Sequence, residues 1–129
     1  DRQTEKDRYI KMHGHKIYEF AITKVPQALK ECLEASGKSI SDVKKIFLHQ
    51  ANENMNVLIS KYILGKEASR ELAPVVLDEY ANTSSAGSII AFHKHNKSLK
   101  KDELAIICSI LPTLFLLASR PRSREINSE

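Results

Sequence analysis

Short apolar segments alternate along this chain with longer segments of helical spacing, and this alternation is what most restricts its fold. Three segments are typical of short buried strands, namely residues 44–50 (KKIFLHQ), 73–80 (APVVLDEY) and 102–111 (DELAIICSIL). Segments with helical spacing of apolar residues lie before and between them. Strands that alternate with helices predict a layered α/β domain whose mostly parallel sheet is flanked by helices.

Three helices are predicted around these strands. The apolar residues of 25–33 recur at helical spacing. Pro26 fits the first turn of that helix, or a kink if the helix already begins near Ile17. A second helix is predicted from Asn52 to Leu64. Residues 82–95 (NTSSAGSIIAFHKH) begin polar and become apolar, as expected of a loop that leads into a helix.

Length and composition favour one globular domain of 129 residues, with 42% hydrophobic and 28% charged residues. No apolar run approaches the ~18 residues of a membrane span. Two cysteines, Cys32 and Cys108, are too few for a disulfide framework and are typical of cytosolic thiols. The chain starts without methionine or an apolar leader. We therefore expect residues 1–8 to be a charged lead-in from a longer parent chain.

The net charge of +4 permits nucleic acid as a partner but does not favour it, because lysine and arginine mostly alternate with acidic residues. Only residues 119–124 (SRPRSR) form a dense basic run, and such a run is usually solvated. A mild positive balance also suits an acidic protein partner or a phosphate-bearing cofactor.

Polar side chains follow two of the predicted strands. His49, Gln50 and Asn52 follow the first, and residues 82–85 (NTSS) follow the second. In open α/β sheets, functional groups collect beyond the carboxyl ends of strands, so His49 and Asn82 could converge on one pocket. Each has a structural alternative, since a lone histidine is often a satisfied core residue and asparagine is frequent in turns.

Other candidate chemistry is weaker. Two histidine pairs, His13 with His15 and His93 with His95, could each supply two metal ligands if they lay on strands, but no third ligand has a convincing spacing. Solvated surface histidines are the favoured interpretation. All four glycines are isolated, so the sequence has no phosphate-binding glycine loop.

Two motifs carry a resemblance to a known family. HQAN at 49–52 together with ANTSSAG at 81–87 resembles the C-terminal half of β-ketoacyl-acyl carrier protein synthase III, a condensing enzyme with a thiolase fold. The likeness continues in residues 12–37 and 98–109, so roughly residues 9–109 match in order. It implies one half of a thiolase-like fold in a cytoplasmic acyltransferase of fatty-acid synthesis.

The resemblance also implies roles for individual residues. His49 falls on the catalytic histidine and Asn82 on the catalytic asparagine of the family. Asn52 corresponds to a position that touches the phosphopantetheine arm, and Gly14 and Ala51 to positions lining the entrance for that cofactor. Coenzyme A or phosphopantetheine thioesters would be substrates, with no permanently bound cofactor or metal. The implied partners are acyl carrier protein, acyl-CoA and malonyl thioesters, the N-terminal half of the same enzyme and a second subunit; nucleic acid and membranes are not implied.

The sequence departs from the family in three places. Neither Cys32 nor Cys108 matches the acyl-accepting cysteine, which belongs to the N-terminal half, so we expect this chain alone to be inactive. Asn54 stands where the family often has a basic residue. After Ser109 the family's glycine loop is missing, so residues 110–129 are interpreted as a divergent tail, with a frame shift or disorder as its two explanations. If the sequence is genuine, the sheet is expected to lack its usual last strand. The alternative function is a non-catalytic module that binds acyl thioesters or a carrier protein.

Overall fold

The computed structural model describes residues 13–110 and 114–119. The predicted lead-in at 1–8 and most of the divergent tail therefore lie outside the described residues. The elements in chain order are α1 (Gly14–Ala35), a 3-10 turn (Ile40–Asp42), β1 (Val43–Phe47), α2 (Glu53–Leu64), α3 (Leu77–Tyr80), α4 (Ala86–His95), a second 3-10 turn (Asn96–Ser98), β2 (Leu104–Ile110) and β3 (Leu114–Ser119).

The described strands form one mixed sheet in the order β1-β2-β3. β1 and β2 are parallel, with Phe47 opposite Ile107, and β3 runs antiparallel to β2, with Leu117 opposite Ile107. The expectation that a genuine sequence would leave the sheet without a last strand after β2 does not hold, because β3 pairs with β2 there. Residues 114–119 (LFLLAS) have an apolar composition that permits a strand, whatever their likeness to relatives.

Helices cover both faces of the sheet, as the predicted layered α/β class requires. Alternate residues of a strand point to opposite faces. Ile46 and Ile106 pack in one apolar cluster with α1 and α2, whereas Phe47 and Ile107 pack in a second cluster with α4. Phe47 also contacts Phe92 of α4 edge to face, with ring centroids 5.3 Å apart. The sheet is thereby held between two helical layers.

The boundaries of α1 and α2 follow from local chemistry. α2 starts after Asn52, whose side chain caps it, and stops at Gly65, which has the left-handed φ of 73° that glycine adopts without strain. α1 is the longer of the two alternatives left open by Pro26, which lies inside the helix. Ala21 is fully buried, so the apolar face of α1 begins well before Pro26.

Residues 73–80 do not form the predicted second strand. Pro74 has no N–H to contribute to a strand ladder, and the N–H of Val76 donates to the side chain of Gln50. The following residues close the single turn of α3. The apolar pattern of residues 73–80 is typical of a buried strand. Their backbone groups instead bond to the side chain of Gln50 and to one another within the turn of α3.

None of the helices in the part of the chain that the structure describes is both long enough and apolar enough to cross a membrane.

Candidate active site

His49 lies two residues beyond β1, at the carboxyl end of the sheet, and is partly buried. Its Nδ1 accepts a hydrogen bond from the backbone N–H of Ile110, the last residue of β2, at 3.4 Å. Burial lowers the pKa of His49 below its ordinary value of 6.5, which favours the neutral ring. A neutral imidazole that accepts at Nδ1 carries its proton on Nε2, so His49 presents Nε2 as a donor.

Asn82 follows α3 and is exposed to solvent. Its Oδ1 accepts a hydrogen bond from the backbone N–H of Ser84 at 2.9 Å, which closes an Asx turn. This bond occupies the acceptor end of the side chain and leaves the amide Nδ2 as a donor. The prediction that Asn82 ends a strand is wrong, because a one-turn helix and not a strand precedes it.

A serine cluster brings the Asn82 loop to the sheet edge that carries His49. The hydroxyls of Ser88 and Ser109 each lie 3.1 Å from the carbonyl oxygen of Ser85, and 2.5 Å from each other. Ser109 adjoins Ile110, which donates to His49. The described side chains of His49 and Asn82 share no hydrogen bond; the connection between their segments runs through Ser85, Ser109 and Ile110.

Gln50 is a member of this site to which the sequence assigned no role. Its side chain is fully buried and its amide is saturated with backbone partners. Oε1 accepts from the N–H of Val76 at 3.1 Å, and Nε2 donates to the carbonyl oxygens of Leu48 at 2.9 Å and Pro74 at 3.3 Å. The one signal in the sequence was a glutamine directly after a buried apolar run, where a polar group needs local partners.

Asn52 caps the helix that begins beside His49. Its Oδ1 accepts from the N–H of Met55 at 3.3 Å, and its side chain is otherwise exposed. Ala51 connects Asn52 to Gln50 and is partly buried. Gly14 is the first residue of α1, with no atom within 4 Å of the place where a side chain would start. No hydrogen bond of the described residues joins Gly14 to the His49 edge, so the structure does not group it with the other site residues.

Arg70 forms exposed salt bridges to two segments that flank the site, the start of α2 and the helix α3 before Asn82. Its guanidinium contacts Glu53, in the first turn of α2, at 2.6 Å and Asp78, in α3, at 3.1 Å. All three side chains are substantially exposed, so water screens these pairs and their effect on stability is small. The pairs show that the first turn of α2 and the segment before Asn82 lie on the same side of the molecule.

The remaining candidates show no catalytic arrangement. Cys108 is completely buried in β2, and burial raises the pKa of its thiol to about 12. His13 precedes α1 and His15 lies within it, while His93 and His95 lie on α4; residues two apart on a helix do not share a face. Within residues 13–110 and 114–119, no group of three or more histidine, cysteine or acidic side chains is placed to hold a metal ion.

Residues 33–111 match the family model for the 3-oxoacyl-[acyl-carrier-protein] synthase III C terminal. The beta-ketodecanoyl-[acyl-carrier-protein] synthase of Pseudomonas aeruginosa is 41% identical over 105 residues, which are 81% of this chain and 30% of that protein. The beta-ketoacyl-[acyl-carrier-protein] synthase III of Streptococcus gordonii is 39% identical over 85 residues, 65% of this chain and 25% of that protein.

Solved structures show the same likeness. The 3-oxoacyl-[acyl-carrier-protein] synthase III from Aquifex aeolicus superposes with a TM-score of 0.69 at 26% identity, over 78% of this chain and 32% of that one. The corresponding enzyme of Pseudomonas aeruginosa superposes with a TM-score of 0.74 at 18% identity, over 93% of this chain and 38% of that one. The chain thus has the thiolase-like architecture, and it spans about a third or less of the curated relatives it matches.

Proposed function

The chain belongs to the 3-oxoacyl-[acyl-carrier-protein] synthase III family, and from that premise we propose that residues 9–109 are the C-terminal half-domain of a condensing acyltransferase. The proposed reaction joins an acyl primer to malonyl-acyl carrier protein in cytoplasmic fatty-acid synthesis. One observation carries the proposal: backbone N–H groups occupy one polar atom each of His49 and Asn82, so that both side chains present a donor. Two donors are what an enolate oxygen requires.

The chemistry assigned to these donors is the decarboxylation of the malonyl group. The bond between the carboxylate and Cα breaks, carbon dioxide leaves, and the electron pair moves onto the thioester carbonyl as an enolate. His49 Nε2 and Asn82 Nδ2 stabilise the developing negative charge on that oxygen. The enolate carbon then attacks the acyl thioester, forms the new carbon–carbon bond and expels a thiolate. Because the neutral ring accepts at Nδ1, its proton lies on Nε2, the nitrogen assigned as donor to the enolate oxygen.

The nucleophile that receives the primer would come from an N-terminal half. Cys108 is unsuited to the task, because a thiol whose pKa is raised to about 12 has almost no thiolate at neutral pH. Cys32 lies within α1, is half-buried, and does not match the acyl-accepting cysteine of the family. The 129-residue chain alone is therefore expected to bind thioester substrates at most, and not to catalyse their condensation.

The substrate arm and the partners are assigned from the family. Asn52, Ala51 and Gly14 are proposed to line the path of phosphopantetheine, and coenzyme A or carrier-protein thioesters to be the substrates, with no permanent cofactor. Acyl carrier protein, the N-terminal half and a second subunit are the proposed partners. Residues 110–129 are proposed to depart from the family sequence, and a one-base frame correction that restores a glycine loop would support a frame shift.

A non-catalytic module that binds acyl thioesters or a carrier protein is the second candidate. Two sequence features favour it: uncharged Asn54 at a position where the family often has a basic residue, and the absence of glycine after Gly87. Such a module would bind its ligand through the same edge of the sheet but would release no carbon dioxide.

The deciding experiment uses the full reading frame that encodes this segment. Purified protein is assayed separately for cysteine acylation by acyl-CoA and for carbon dioxide release from malonyl-carrier protein. His49→Ala and Asn82→Ala should each lower decarboxylation by roughly 10²–10³-fold, the usual effect of losing one oxyanion donor, while acylation changes little. His93→Ala, at an exposed position on α4, and Asn96→Ala, at a half-buried position directly after it, are the matched controls.

Three outcomes separate the candidates. A split between the two reactions supports the condensing enzyme. Ligand binding by a wild-type protein that never releases carbon dioxide supports the module. Turnover of acyl-CoA and malonyl-carrier protein by the 129-residue chain alone would contradict the requirement for an external nucleophile.

A further inference from the structure

We propose that Gln50 is a positioning residue that closes the loop carrying Asn82 onto the strand end carrying His49. The inference rests on the proposed function, since it assigns Gln50 to the placement of the two donors. Gln50 contacts the loop on both flanks of Asn82, once before it and once after it. A single buried side chain thereby sets where the loop begins and where it ends.

The upstream flank is held by hydrogen bonds. Gln50 accepts from the N–H of Val76 and donates to the carbonyl of Pro74, while its second amide N–H donates to Leu48 in its own segment. The side chain is 0% exposed, so no water can replace a lost partner without rearrangement. Both N–H donors and the carbonyl oxygen of the amide have a partner, and two of the three bonds reach the segment that leads to Asn82.

The downstream flank is held by close packing. A Cβ added to Gly87, in the first turn of α4, would lie 2.6 Å from Cβ and 2.9 Å from Cγ of Gln50. Only a residue without a side chain permits this approach, which is why a glycine is needed in a helical position where it is otherwise unfavourable. The start of α4 therefore rests directly on Gln50.

The loop between these flanks needs such an anchor because its backbone is strained. Ala81 has φ 54° and ψ −157°, and Ser84 has φ 58°, both in regions that residues with a Cβ seldom occupy. Strained conformations of this kind persist only where the surrounding structure determines them. Asn82 lies between the two strained residues, and its side chain is bonded to the N–H of Ser84. Loosening the flanks would let Ala81 and Ser84 relax and would move the amide of Asn82.

The test replaces Gln50 by methionine, which has nearly the same length but no hydrogen-bonding amide. In the full reading frame, Gln50→Met should lower kcat for decarboxylation by roughly 10–100-fold, the cost of misplacing a catalytic group by about 1 Å. Cysteine acylation, which uses neither donor, should stay within about 2-fold of wild type, and KM for the malonyl thioester should change little. Gln27→Met on the exposed side of α1 is the matched control.

A second variant tests whether the two flanks act through the same contact. Gly87→Ala forces Gln50 and α4 apart and should also lower decarboxylation. Gln50→Met removes the upstream hydrogen bonds and Gly87→Ala disturbs the downstream packing, but both act by displacing the side chain at position 50. The double variant should therefore lose less than the product of the two single losses. Multiplicative losses, or wild-type decarboxylation by Gln50→Met, would overturn the proposal. Equal losses of acylation and decarboxylation would assign Gln50 to overall stability instead.

Amide hydrogen exchange of the 129-residue chain tests the positioning role of Gln50 without any enzymatic activity, and therefore independently of the proposed function. Gln50→Met should speed amide exchange at Val76 and Ser84, while Ile59 in the core of α2 stays protected. If the wild-type enzyme releases no carbon dioxide, the proposed function fails, and the exchange pattern alone decides whether Gln50 orders the loop. Unchanged exchange at Ser84 would overturn the positioning role whatever the activity.

Discussion

The backbone N–H of Ile110 donates to Nδ1 of His49 at 3.4 Å, so the end of β2 sets the protonation of a side chain that lies beyond β1. The two strands are parallel neighbours, and their carboxyl ends meet at this contact. The hydrogen bond requires an unprotonated Nδ1, and burial disfavours the charged ring. Strand pairing thus fixes which nitrogen of His49 can donate.

The first prediction concerns the tautomer of His49. Nitrogen-15 chemical shifts of the histidine rings should show His49 neutral at pH 7, with the proton on Nε2. The physical reason is the contact with Ile110, which only an unprotonated Nδ1 can make. His49→Gln assigns the resonance. A proton found on Nδ1 at neutral pH would contradict the donor role of Nε2.

The second prediction follows from the same lowered pKa. The unfolded chain binds a proton at His49 near the ordinary value of 6.5, whereas the folded chain binds it only at lower pH. The contribution of His49 to the free energy of unfolding is therefore complete above pH 6.5 and is lost as pH falls through the folded pKa. Urea unfolding of wild type and His49→Gln between pH 7.5 and 5 should differ in slope over that window, with the wild type losing more stability. Parallel curves would contradict it.

The third prediction tests the strain beside Asn82. Ala81 is exposed, so replacing it by glycine removes no packing and relieves a left-handed φ of 54°. Ala81→Gly should raise the free energy of unfolding by about 1 kcal/mol, the relief of strain less the entropy of glycine. Ala28→Gly, inside α1, is the matched control and should lower it by about 1 kcal/mol. Both are measured by urea unfolding, and the same sign for both variants would disprove the strain at Ala81.

Local chemistry made parts of this fold predictable. The boundaries of α2 could be predicted because Asn52 and Gly65 act on backbone groups within a turn of themselves. The family and the thiolase-like half-fold, inferred from HQAN and ANTSSAG, are confirmed by the match over residues 33–111 and by the solved structures. The roles of His49, Asn82, Asn52, Ala51 and Gly14 stay predictions.

The errors arose where backbone groups find partners far along the chain. The apolar run before Asn82 was predicted as a strand because its pattern fits one, yet the N–H of Val76 bonds a side chain 26 residues away. No local pattern encodes that pairing. Gln50 was passed over for the same reason, since its importance depends on Val76 and Gly87 lying against it. Propensity and periodicity describe neighbours in sequence, and this site is assembled from neighbours in space.

The fourth prediction separates two roles of Asn52. Asn52→Ala removes the oxygen that accepts from Met55 and should lower the free energy of unfolding by about 1 kcal/mol. Asn52→Asp keeps an accepting oxygen at the cap and should leave stability nearly unchanged. If Asn52 also donates to the phosphopantetheine arm, both variants of the full reading frame should raise KM for the thioester substrate. Asn54→Ala, at an exposed position two residues further along the chain, is the control for stability. Loss of stability in Asn52→Asp would contradict the capping role.

The fifth prediction concerns the two thiols. Cys32 is partly exposed on α1, whereas Cys108 is completely buried in β2, where desolvation raises the pKa of its thiol to about 12. At pH 8 roughly one Cys108 in ten thousand would carry the reactive thiolate, and the reagent would still have to reach it. Native chain treated with iodoacetamide should therefore gain one label, at Cys32, and a second only in denaturant. Cys32→Ser should stay unlabelled until it unfolds, as mass spectrometry would show. Rapid native labelling of Cys108 would mean that β2 opens readily and would contradict the burial that raises the pKa of this thiol.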